Sequence, residues 1–78
     1  MRVEIGKHIV IDTEVCHGQP TFKGTRVLVS DILELIAAGE PIEKILEEYP
    51  SITKEMIQEA LEWAAKIIGE EYVKISAR

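Results

Sequence analysis

The sequence predicts a mainly α domain: a three-helix bundle led by a short N-terminal β-hairpin and closed by a C-terminal strand or arm. Three observations carry that expectation. Apolar residues recur at helical spacing across residues 30–69, β-branched residues crowd both sides of Gly6, and Pro and Gly stand where helices must stop. At 78 residues the chain is read as a single domain, with a hairpin and Gly/Pro loop over 1–29, the bundle over 30–69 and the arm over 70–78.

Val3-Glu4-Ile5 and His8-Ile9-Val10-Ile11 flank Gly6-Lys7, the pattern of a hairpin whose positive-φ position is Gly6. From Asp12 to Gly24 the pattern is irregular, and Gly18, Pro20 and Gly24 mark sharp turns. Val27-Leu28-Val29 adds a brief extended segment. The first helix is expected from Ser30 or Asp31, because Asp31 and Glu34 stand at capping-box spacing and Val29, Ile32, Leu33 and Ile36 share a stripe. Gly39 then ends it as the C′ residue. A second helix opens with Pro41 in its first turn, carries Ile42, Ile45, Leu46 and Tyr49 on one face, and stops before Pro50. The third takes Thr53 as N-cap, with Ile52 and Ile57 at hydrophobic-staple spacing. Its stripe of Ile57, Ala60, Leu61, Ala64 and Ile68 runs to Gly69, a length of roughly 22 Å at 1.5 Å per residue. Tyr72-Val73-Lys74-Ile75 reads as a β-rich strand or arm that needs something to pair with.

Charge sorts along the chain. Residues 1–29 sum to +1, residues 30–71 to −8 and the last residues to +2, giving the net −5. An acidic balance disfavours a surface that grips nucleic acid all over and suits a basic partner. A chain this short hides only about 60–65% of its unfolded surface, which points to a second chain, most simply a homodimer. The single cysteine, Cys16, and the absence of a charged-then-apolar leader argue for the cytoplasm. No apolar run approaches a membrane span.

Three short helices with tight connections fit a helix-turn-helix arrangement with the third helix in the recognition position, but the pattern is weakly specific and more often belongs to an ordinary three-helix bundle. The polar side of that third helix carries Lys54, Glu55, Gln58, Glu59, Glu62 and Lys66, so carboxylates would face phosphates across much of a groove. The candidate DNA contacts are therefore Lys54 and Gln58 at its start, with Lys7, Lys23 and Arg26 from the hairpin and loop. Cys16, His17 and His8 fall short of a zinc ligand set within one chain, no convergent polar cluster suggests an enzyme, and no cofactor is expected. Trp63 lies beside the main stripe with Met56, Ala60 and Ile67, and this helix needs two surfaces to bury it: the core, and either the hairpin or another chain. Trp63, Tyr72, Val73 and Ile75 are the candidate partner-binding residues.

The run from Gly18-Gln19-Pro20 through Gly24-Thr25-Arg26 to Leu35, followed by Ala38-Gly39-Glu40 and Glu48-Tyr49-Pro50, resembles the domain-of-unknown-function family 433. The resemblance covers roughly residues 9–65. It implies a helix-turn-helix-like fold of homeodomain or winged-helix type, and a VapB-like antitoxin partnered with a small PIN-like ribonuclease toxin. Repression of its own operon through operator DNA is implied as well, and the rival reading is a stand-alone DNA-binding regulator. Gly18, Pro20, Gly24, Thr25, Arg26, Gly39, Tyr49 and Pro50 match the signature. For three of them the chemistry suggests a glycine turn, a side-chain-to-backbone hydrogen bond from Thr25, and an Arg26 guanidinium that either fastens the loop or contacts DNA.

Overall fold

The computed structural model describes the backbone of residues 1–76 and the side chains of residues 1–70. Among the described residues, strands β1 (Arg2–Ile5), β2 (Ile9–Asp12) and β3 (Thr21–Phe22) are followed by helices α1 (Val29–Ala37), α2 (Ile42–Glu48) and α3 (Lys54–Ser76). The strands form one antiparallel sheet in the order β1-β2-β3. This is an α+β fold and corrects the mainly α expectation.

The hairpin forms as its sequence dictates, with Arg2 opposite Asp12 and Ile5 opposite Ile9 around a turn where Gly6 has φ +69°. What periodicity could not reveal is β3. Its two residues are too few to show alternation, yet Thr21 and Phe22 are both buried and pair with Val10 and Ile9. Leu28 bridges back to Thr21, so the extended segment expected before the first helix is Val27-Leu28, and Val29 already belongs to α1.

The helix starts differ in detail from the sequence reading. Leu28 is the N-cap of α1 and no side chain caps it, so the Asp31/Glu34 box does not form; the α1 start is held instead by Val29 N–H donating to the Pro20 carbonyl at 3.0 Å. Pro41 is the N-cap of α2, one residue before its expected place. Gly39 closes α1 at φ +90°, donating to the Ile36 carbonyl. The Thr53 hydroxyl accepts the Met56 N–H at 3.2 Å, the expected cap of α3.

The larger correction lies at the other end of α3. It continues through Gly69 to Ser76, so the strand or arm expected over 70–78 is helical as far as Ser76, and residues 77–78 lie outside the described residues. Glycine within a helix costs only about 1 kcal/mol, and without a proline or a left-handed turn it does not stop one. At 23 residues α3 is roughly 35 Å long. Its cover is much shorter: nine residues of α1 and strands of four residues each reach only about 13 Å.

The core gathers Ile9 and Phe22 from the sheet, Val29 and Ile32 from α1, Ile45 from α2, and Ile52, Met56, Ile57 and Ala60 from around the start of α3. Ile68, expected on the buried stripe, is 68% exposed because the helix has outrun the domain.

Candidate functional site

The hairpin turn is tied to α3 by one carboxylate. Glu59 Oε2 accepts the Lys7 backbone N–H at 2.7 Å, and Glu59 Oε1 lies 2.7 Å from His8 Nδ1. Gly6 is required here twice, for its left-handed backbone and because a Cβ would collide with the Glu59 carboxylate. Burial pushes the Glu59 carboxyl up, but the Lys7 N–H and the His8 ring outweigh it and hold the group below its ordinary value. Sequence reasoning missed this pair. Its members sit 51 residues apart, and in the sequence Glu59 is one carboxylate among several on the polar side of the third helix.

Beside that contact opens a cleft of 540 Å³ lined by Lys7, His8, Lys54, Glu55, Gln58, Glu59 and Glu62. Three of the five candidate DNA contacts, Lys7, Lys54 and Gln58, thus converge on one cleft, in company with three carboxylates. Gln58 donates to Glu62 at 3.4 Å. Lys23 is elsewhere, its ammonium 3.0 Å from Glu4, and Glu4 is held below its ordinary carboxyl range first by that Lys23 contact and then by Arg2.

The Gly24-Thr25-Arg26 turn is built as its chemistry suggested. Gly24 has φ +79°, and the Thr25 hydroxyl donates to the Phe22 carbonyl at 2.7 Å and accepts the Val27 N–H at 3.0 Å. Arg26 is exposed, and its guanidinium makes no ion pair or hydrogen bond among the described residues; the contact at this residue is its carbonyl, 3.6 Å from Cys16 Sγ. Cys16 and His17 both take positive φ, and with Gly18 they form a tight 3₁₀ turn. Pro20 lends its carbonyl to the start of α1, Tyr49 packs on the core, and Pro50 follows the end of α2. Among the described residues no group of three or more His, Cys, Asp or Glu is placed to hold a metal ion, and no helix is long and apolar enough to cross a membrane.

Trp63 is half-buried and lines a hollow with Ile5, Gly6, Glu59, Glu62 and Lys66, so the hairpin supplies part of its second surface. Beyond it the cover stops. Ala65, Lys66, Ile67, Ile68, Gly69 and Glu70 are all exposed, Ile67 by 40% and Ile68 by 68%. Ile67 stands beside Trp63 on the side of the helix expected to need a second surface, whereas Ile68 was expected on the buried stripe and is exposed instead. Tyr72, Val73 and Ile75 fall within α3, and their side chains lie outside the described residues.

A family profile described as "protein of unknown function (DUF433)" matches residues 9–64. The chain is also similar to an uncharacterised protein of Sinorhizobium fredii, y4eO, with 40% identity over 45 residues. That stretch is 58% of this chain and 20% of the relative, so the match spans about a fifth of the relative's length. No solved structure matches.

Proposed function

Since the chain belongs to the DUF433 family of proteins of unknown function, we propose that it works as a protein-binding module of antitoxin type, without catalytic activity of its own. In this reading it acts in the cytoplasm and caps a basic, PIN-like ribonuclease. The observation that carries the reading is the bare stretch 65–70 of α3, where Ile67 and Ile68 continue an apolar stripe past the end of the domain that covers it. Exposed isoleucines on a helix flanked by Glu62, Lys66 and Glu70 suit a helix-in-groove contact, with Trp63 at its inner edge. The acidic helices would speed encounter with a basic surface, and the apolar anchors would set how long the complex lasts. Tyr72, Val73 and Ile75 extend the same contact in sequence.

A second reading, a regulator bound to operator DNA as a homodimer, draws support from the convergence of Lys7, Lys54 and Gln58 on one cleft. Glu55, Glu59 and Glu62 in the same cleft weigh against phosphate there, leaving Arg26 as the better placed contact.

Capture of partners by the tagged full chain from its own cells, at low and high salt, separates the two. The protein-binding reading expects a stoichiometric small basic ribonuclease, retained in part at high salt and lost in Ile68→Glu. Recovery of DNA without a protein partner, with steep salt dependence that Arg26→Ala abolishes, would replace it with the regulator.

A further inference from the structure

We propose that the outer edge of β1 is a self-docking surface, on which a second copy of this chain adds its own β1 antiparallel and joins two three-stranded sheets into one of six. Among the described residues no strand pairs with that edge, and Arg2, Val3 and Glu4 are all exposed. The Thr13 N–H donates to the Met1 carbonyl at 2.9 Å. By the alternation of an antiparallel ladder, Met1, Val3 and Ile5 then turn their backbone groups toward β2, while Arg2 and Glu4 turn theirs outward.

The sequence Met1-Arg2-Val3-Glu4-Ile5 is complementary to itself when read in reverse. A two-fold axis through Val3 sets Val3 against its own copy, Arg2 against the partner's Glu4, and Met1 against the partner's Ile5. The outward N–H and C=O groups of Arg2 and Glu4 are then those that meet across the axis, so the register the charges select is one the backbone groups also allow. Shifting the axis by one residue sets Arg2 against Arg2 or Glu4 against Glu4, and a parallel pairing in register does both; like charges directly opposite are destabilising. Side chains agree with the backbone. Arg2, Glu4 and Lys23 share one face through contacts at 3.5 and 3.0 Å. The other face carries Met1, 83% exposed, and Val3, 43% exposed, beside Ile5 and Trp63, so pairing continues an apolar face across the axis. Four-residue strands bury little area, which makes this a reversible dimer and not a permanent one. It is independent of the protein-binding reading above, because self-association is measured with no other protein present.

Sedimentation equilibrium of the full chain over a range of concentrations tests it. Arg2→Glu and Glu4→Arg should each weaken self-association by about tenfold or more, since each turns two attractive cross-strand pairs into repulsive ones. An equimolar mixture of the two variants should regain the wild-type affinity, because each then meets its complement, and that recovery also shows both are folded. In a Cys16→Ser background, Val3→Cys should form an interchain disulfide far faster than Lys66→Cys, as opposed residues at such a position lie about 4.5 Å apart. A chain that stays monomeric throughout, a dimer indifferent to both charge changes, a mixture that fails to recover, or equal cross-linking at positions 3 and 66 would overturn the proposal.

Discussion

Along α3 the stretch 54–63 and the stretch 64–70 extend one apolar stripe, and they end in opposite environments. Met56, Ile57 and Ala60 are at most 7% exposed beneath the sheet and α1, whereas Ile67 and Ile68 face solvent. Apolar residues at helical spacing do not separate them, since Met56, Ile57, Ala60 and Leu61 in the first are followed by Ala64, Ile67 and Ile68 in the second. Length does: a helix of roughly 35 Å lies on partners of roughly 13 Å. A helical period states which face of a helix is apolar, but where that face is covered is set by the neighbours, and the uncovered remainder is where a partner gains most by binding.

Substitutions along the helix can break this comparison. The largest effect is expected from Ile57→Ala, at about 2–5 kcal/mol of unfolding free energy in denaturant titration, because a fully buried side chain leaves a cavity. Ile68→Ala should change stability by less than about 0.5 kcal/mol, and equal losses at the two positions would show that the stretch 64–70 is covered after all. Next comes Glu59→Gln, expected to cost about 1–2 kcal/mol by weakening the contacts to Lys7 and His8. Its sign with pH is fixed: a carboxyl held low in the folded state stabilises above its ordinary value near 4.5 and loses that contribution as pH falls through the folded value. The gap between wild type and Glu59→Gln in thermal or denaturant unfolding should therefore persist at neutral pH and close only in acid, as pH falls below the ordinary carboxyl value and through the lowered folded one. A gap that widened in acid would contradict the assignment.

Thr53→Ala should cost about 1 kcal/mol through loss of the cap on the Met56 N–H. The smallest change sharpens the comparison from the other side. Gly69 sits inside the helix with open space where a Cβ would go, so Gly69→Ala should raise helicity by circular dichroism and add up to about 1 kcal/mol. A loss of helicity would mean that this glycine serves a turn.

How much of this was legible in the sequence follows from the range of each interaction. The hairpin at Gly6, the Thr25 turn, the Gly39 stop and the Thr53 cap are set by residues within four positions of one another, and each was readable as local chemistry. Strand β3 was not, because a two-residue strand exists only through its pairing with β2 and Leu28. The Glu59 contact was not, because nothing near position 59 announces a turn 52 residues earlier. The Asp31/Glu34 spacing misled for the converse reason. It satisfied a local pattern while the start of α1 took its hydrogen bond from distant Pro20. Gly69 was read as a stop because glycine often is one, but a stop also needs the chain to turn, and here it does not.

The central claim is that the stretch 64–70 of α3, proposed above as a docking surface, is bare in the free protein and covered by a partner. Hydrogen exchange along α3, measured for the free protein and for its complex with the captured partner, tests it most directly. The account predicts slow exchange over 54–63 in both states, with 64–70 exchanging rapidly when free and protected on binding. Protection that left 64–70 unchanged and appeared instead around Lys7, Arg26 and Lys54 would contradict it and favour the DNA-binding regulator.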